Sequence, residues 1–255
     1  MSHTQTAPHV PMTDAEWATR VDLAAAYRLC ELYGMSDLIY THLSARVPGE
    51  PDCFLLNPHG HLFEEITASS LLKVRMDGAL VGSPPGTPMN KAGHVIHSGI
   101  YLARPEAHAV VHTHTIAGMA VASLKEGLLP LTQTSHRVVG RLAYHDFNGP
   151  ERDPAEREAL ARNIGDKPYA ILRNHGLLTS GPTIAEAFNY MYILERACQA
   201  QMAILSCGRE INFLPDAVVE KSVGMYAPGQ SRAFGLLEWP AMLRKLDRID
   251  RSFRD

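Results

Sequence analysis

In Ala109-Val-Val-His-Thr-His-Thr115, two β-branched valines run straight into a His-x-His pair. Such a run reads as a buried strand whose last residues emerge at a sheet edge. Side chains two apart on a strand point the same way, which sets the imidazoles of His112 and His114 side by side. Alone, that pair is as readily two hydrogen-bonded core histidines as two metal ligands, because a stable site needs at least a third donor. Arg173-Asn-His-Gly176 supplies the candidate. His175 follows the apolar run Tyr169-Ala-Ile-Leu172, and Gly176 permits a tight backbone turn. Three neutral imidazoles with an open position suit a catalytic divalent cation, zinc first, with manganese or iron where geometry and supply favour them. No cysteine stands where it would complete a closed structural zinc site.

Outward from that strand, helical and extended signals alternate. Thr13-Asp-Ala-Glu16 has the form of a capping box ahead of Trp17, Val21, Ala24, Ala25 and Leu32 at helical spacing, and Gly34 is placed to end the helix. Strands are expected over 42–47 and 53–56, then the turn Asn57-Pro-His-Gly60. A helical turn running into a strand follows over 66–74, with a hairpin tip at Met76-Asp-Gly78. Pro84, Pro85, Gly86 and Pro88 mark a loop. A helix is expected over 90–102, one of small residues over 116–124, and a surface helix over 154–163. Strands are expected near 131–134, 141–145 and 169–172. Thr183-Ile-Ala-Glu186 opens the longest helix with a second capping box, and Gly208 ends it; Glu195 is a flaw in its apolar stripe. The pattern predicts a disordered tail over 1–12 and one α/β domain over 13–210, its mixed central sheet covered on both faces. An extension over 211–255, helical near 243–249, would pack on the domain or on a neighbouring subunit.

Composition narrows the function. A chain of 255 residues, 45% hydrophobic, is long enough for one well-buried core. A formal charge of −3 gives no electrostatic drive toward nucleic acid or an anionic membrane. No apolar run approaches the roughly 20 residues that span a bilayer. The first dozen residues are polar and lack the apolar core of a secretion signal. Cys30, Cys53, Cys198 and Cys207 show no Cys-x-x-Cys spacing and read as reduced thiols of a cytoplasmic protein. Thirteen histidines are many for this length, and they are the one compositional hint of chemistry.

These residues resemble the class II aldolase/adducin family over most of the chain, from about Trp17 to Arg209. Its metal site uses a His-x-His pair and the histidine of an Asn-His-Gly-like turn, matching His112, His114 and His175. Asp37-Leu-Ile-Tyr-Thr-His-Leu43, Ile66-Thr-Ala-Ser-Ser-Leu-Leu-Lys73, Asn90-Lys-Ala-Gly93, Gly127-Leu-Leu-Pro130 and Leu172-Arg-Asn-His-Gly176 look most like the adducin head-domain branch. The resemblance implies a three-layer α/β/α domain that assembles as a homotetramer with sites at subunit interfaces.

The chain departs from the family's sugar-phosphate aldolases at the catalytic positions. Aligned on His97, Gly93 stands where they carry an acid/base glutamate, and glycine cannot move a proton. Thr41-His42 replaces their Gly-Asn phosphate loop, and bulkier groups undermine a cradle that needs close backbone approach. Lys91 and Thr41 remain candidates for binding substrate. His94, beside Gly93, and His42 are the candidate proton carriers, since imidazole suits acid/base chemistry at neutral pH. His97, one helical turn from His94, is a weaker one. His136 and His145 are expected to flank a hairpin, whereas His59, His61 and His108 have no evident partner. Tyr226 is placed only by analogy, reaching a neighbour's site.

The expected function is a metal-dependent lyase acting on a small, non-phosphorylated hydroxy/oxo carbonyl or carboxylate compound. Aldol cleavage or decarboxylation would gather charge on substrate oxygens as an enediolate that the cation stabilises. Decarboxylation asks less of a base, so Gly93 shifts weight toward it. Two alternatives stand beside it: an iron-dependent oxygenase on the same three histidines, and a non-catalytic, adducin-head-like oligomeric scaffold.

Overall fold

The valine-rich run is a fully buried strand near the middle of an eight-stranded sheet. The computed structural model describes residues 12–84, 86–149 and 154–255. Of the expected tail, 1–11 lies outside the described residues, as does Pro85 in the expected loop. In chain order the elements are α1 (Asp14–Leu32), β1 (His42–Val47), β2 (Glu50–Leu56), β3 (Leu72–Arg75), β4 (Leu80–Val81), α2 (Lys91–Ala103), β5 (Ala109–Thr113) and α3 (Ile116–Ala122). They continue as α4 (Gln133–Val139), β6 (Leu142–His145), α5 (Pro154–Ile164), β7 (Tyr169–Leu172), β8 (Gly176–Gly181), α6 (Ile184–Ser206), α7 (Asp216–Gly224) and α8 (Trp239–Ile249).

The strand order is β4-β3-β2-β1-β5-β8-β7-β6. Every neighbouring pair is antiparallel except β6 with β7, which makes the sheet mixed. Alternate residues along each strand face two separate cores. Leu43, Ala45, Ala109, Val111 and Leu177 join the core under α1 and α6; Phe54, Val74, Val110 and Leu178 join the one under α2 and α5. In the register of β1 against β5, His42 lies opposite His112 and Ser44 opposite Val110. Residues directly opposite share a face, so both histidines look toward α2. Burial of Val110 and Val111 contributes roughly 1.5–3 kcal/mol each, which anchors the strand behind its polar end.

Several expectations change. The stretch expected as a strand over 131–134 begins helix α4. There the Thr132 hydroxyl accepts from the Ser135 N–H at 3.2 Å, and the Ser135 hydroxyl accepts from the Thr132 N–H at 3.0 Å. The reciprocal cap outweighs the β preference of the threonines. His136 therefore rides on a helix, bonded to Ser222 and to the Pro130 carbonyl, and flanks no hairpin. β8 and α7 were not expected: Gly176 and Gly181 disguise the first as a turn, and Pro215 introduces the second. At the start of α1 only half a capping box forms, because Glu16 turns inward to Arg20 and Lys73. From the extension, Trp239 on α8 donates to Asp22 of α1 at 3.1 Å and packs against Phe188. Among the described residues, no helix is long and apolar enough to cross a membrane.

Candidate metal centre

Two chain turns carry the site. β5 ends at Thr113, and the chain passes through His114 into α3, capped by the Thr115 hydroxyl, which accepts from the Gly118 N–H at 3.1 Å. Thr115 also donates a short hydrogen bond to Glu195, whose burial raises its pKa. The flaw in the α6 stripe is thus the clamp on the turn after His114. The second turn lies between β7 and β8. Asn174, with φ +55°, supplies its left-handed residue, where Gly176 was expected to do so. Gly176 serves close approach: a Cβ there would come within 2.4 Å of the Thr113 carbonyl oxygen and 3.0 Å of the His114 ring.

Together the turns bring His112, His114 and His175 to one point. The Nε2 atoms of His112 and His114 are 2.9 Å apart, as are those of His114 and His175. Nitrogens bound tetrahedrally to zinc stand roughly 3.3 Å from one another, so a small outward shift fits the ion. The far side of two rings is already oriented: His112 Nδ1 donates to the Leu177 carbonyl at 2.9 Å, and His114 Nδ1 lies 3.2 Å from an Asp37 carboxylate oxygen. A proton fixed on Nδ1 leaves the Nε2 lone pair for a cation. Burial, then neighbouring imidazoles, push the His112 pKa well below the usual histidine range, which keeps the ring neutral. The donor set fits a first-row divalent ion, and an open pocket lies beside it.

A second string of polar groups runs from this point under α2. His42 Nδ1 is 2.8 Å from His97 Nε2; His97 Nδ1 meets the Ser44 hydroxyl, which lies 2.7 Å from the Tyr101 hydroxyl. All four side chains are buried, and burial drives the pKa values of His42 and His97 well below the usual range. The string has two settings. With the His97 proton on Nε2, His42 accepts at Nδ1 and carries its own proton on Nε2. With the direction reversed, His42 Nε2 is a lone pair.

The class II aldolase and adducin N-terminal domain model matches residues 21–202. The chain belongs to this family. An aldolase II superfamily protein from Pseudomonas syringae is 46% identical, with a TM-score of 0.88, covering 96% of this chain and 98% of that one. An L-fuculose 1-phosphate aldolase from Glaciozyma antarctica is 28% identical, with a TM-score of 0.82, covering 96% and 97%. Rat alpha-adducin is 39% identical over an alignment of 247 positions, which covers 90% of this chain and 33% of that protein.

Family membership makes the surroundings of Gly93 informative. A Cβ built on Gly93 would lie 2.8 Å from Cδ2 of His42, so the imidazole fills the space that a side chain at position 93 would need. His94 is engaged elsewhere. Its Nε2 is 3.1 Å from the Arg75 carbonyl oxygen and its ring stacks on Phe54, while burial lowers its pKa. It still lines a pocket of about 900 Å³ shared with the three histidines, Thr41, His42 and Lys91. Sequence reasoning missed Asp37, Ser44 and Tyr101 and gave His97 no partner. One signal was present: Gly93, His97 and Tyr101 recur every four residues, one face of a helix.

Proposed function

We propose that this family member is a metal-dependent carbon–carbon lyase acting on a small, non-phosphorylated hydroxy/oxo compound by aldol cleavage or decarboxylation. The observation that carries the reading is the convergence of three Nε2 atoms on one point at the wall of a substrate-sized pocket. His112, His114 and His175 would hold the ion, with zinc favoured by the all-nitrogen set and manganese or iron as alternatives. When bound, the cation supplies electrostatic stabilisation for negative charge gathering on substrate oxygens as the bond breaks. His42 faces the same pocket at the place where a side chain on residue 93 is excluded, and His97 with Ser44 holds its ring. In the setting with its proton on Nε2, His42 is the group we assign to protonate carbon; His94, bonded to the Arg75 carbonyl, is the poorer candidate.

We further propose a homotetramer with sites at subunit interfaces. Exposed Leu38, Tyr40, Ile116 and Phe147 surround the two turns and support it. The free cysteines are in keeping with a cytoplasmic setting. One other reading has an observation behind it: the identity to alpha-adducin, together with Gly93, favours a scaffold that no longer turns over substrate. Metal analysis of protein purified without added metal, followed by incubation with hydroxy-oxo acids with and without oxygen, separates the readings. Metal-dependent product formation that ignores oxygen supports the lyase, and strict oxygen consumption supports an iron oxygenase. No bound metal, with His112→Ala leaving fold and assembly untouched, supports the scaffold.

A further inference from the structure

Away from the three histidines, the pocket wall holds polar groups that the protein leaves without partners. Thr41 is 2% exposed, yet its hydroxyl meets no hydrogen-bond partner. Its backbone is also held at φ +70°, an outlier for a β-branched residue. His59 Nδ1 is likewise buried and unpartnered. Leaving such a group unsatisfied is costly, and a ligand atom would remove that cost. The bridge of Pro58 with Met89 and the His59 N–H bond to the Pro88 carbonyl bring His59 alongside the start of α2. There Lys91 is the first helical residue, exposed, and makes no ion pair among the described residues. Among the described residues no Asp or Glu lines this pocket, and the first turn of α2 carries no acidic residue. One cation, a hydroxyl, an imidazole and a helix N-terminus therefore line a common pocket with no carboxylate among its described residues.

We propose that Thr41, His59 and Lys91 form a carboxylate subsite, so that the substrate carries a carboxylate besides the oxygens facing His112, His114 and His175. This rests on the reading of those histidines as the metal end of the pocket. The donor set matches a carboxylate, whose two oxygens take the Thr41 O–H and the His59 N–H while Lys91 supplies the charge. A phosphate monoester presents three oxygens and wants close backbone N–H groups from small residues, which the Thr41 and His59 side chains displace.

Three probes share a hydroxy-carboxylate end and differ at the other: lactate bears nothing there, malate a carboxylate and 3-phosphoglycerate a phosphate. Calorimetry on zinc-loaded protein should find malate at least tenfold tighter than lactate, and 3-phosphoglycerate weaker than malate. Lys91→Met should abolish the malate advantage over lactate. Thr41→Val should reduce it without lowering the melting temperature, because valine gives up no hydrogen bond that the folded protein makes. Equal binding of malate and lactate, an advantage that survives both variants, or tighter 3-phosphoglycerate would overturn the subsite. Failure of the metal reading looks different: the protein then takes up no zinc. Succinate tests the subsite alone in metal-stripped protein. Binding by the wild type but not by Lys91→Met supports it, and equal binding or none by both overturns it.

Discussion

The two faces of the sheet bury two polar clusters, and they are built on opposite principles. On the α1 side, Glu16 meets Arg20 at 2.9 Å and Lys73 at 2.6 Å, and Lys73 meets Glu50 at 2.8 Å. Arg20 also bonds the carbonyls of Ala68 and Leu71. Two acids and two bases close on themselves and offer nothing outward. On the α2 side, His112, His114 and His175 bring like groups together at an open pocket. With Nδ1–H of His112 directed to Leu177 and that of His114 to Asp37, their Nε2 lone pairs face one another, an arrangement that repels unless a cation shares it. A charge-balanced cluster holds a fold together; a convergent, like-typed one holds something else.

Breaking the closed cluster should have the largest effect. Glu16 is 1% exposed, and Glu16→Ala leaves Arg20 and Lys73 buried without their shared carboxylate. A loss of about 3–5 kcal/mol is expected from urea unfolding, with metal content per folded molecule unchanged. A loss below 1 kcal/mol would mean that water already screens the cluster.

Acid should act on the other face. Burial holds His42, His97 and His112 well below the usual histidine pKa, so the folded state binds fewer protons than the unfolded chain once pH falls below about 6.5. Stability is therefore present above that pH and lost beneath it, with a limiting slope of about 4 kcal/mol per pH unit for the three. Unfolding of metal-stripped protein between pH 7.5 and 5 reads that slope directly. His97→Gln should lower it by roughly a third, and an unchanged slope would move the acid sensitivity elsewhere.

How much of this was legible follows from the same contrast. His112 and His114 could be read because strand parity is a local rule, and His175 because a buried run delivers its turn. The string from His42 through His97 to Tyr101 could not. It requires β1 to lie opposite β5 in one register and α2 to cross both, and neither is a property of any short segment. Asp37 escaped for the same reason. Glu195 was visible only as a charge on an apolar stripe, and its purpose appeared once Thr115 was seen against it. The threonines near 132 misled because their hydroxyls serve a helix cap as readily as a strand.

A milder break tests how the histidines are aimed. Asp37 is half exposed, so Asp37→Asn should leave the fold intact. It removes the charge behind His114 Nδ1, and metal affinity should fall about 10–100-fold, measured by competition with a chromophoric chelator. An unchanged affinity would leave the Leu177 carbonyl behind His112 as the orienting contact that matters.

The smallest effect is the most specific, because its sign should reverse. Replacing a helical glycine by alanine ordinarily stabilises, by up to roughly 0.5–1 kcal/mol, and Gly93 is the third residue of α2. At Gly93 the added carbon would stand 2.8 Å from the His42 ring, which β1 and the bond to His97 hold in place. Overpacking of this kind costs roughly 1–3 kcal/mol, so Gly93→Ala should destabilise the wild type. In a His42→Ala background the obstacle is gone and the helical preference should reappear as a small gain. The cycle isolates one contact, since the two positions touch and should couple by roughly 1 kcal/mol or more. Its sign reversal would mean that the His42 ring keeps position 93 a glycine, and that the chain can hold a histidine here or a side chain at 93, but not both. Additive costs would instead make Gly93 a requirement of the helix itself and remove the steric reason for setting His42 in the glutamate's place.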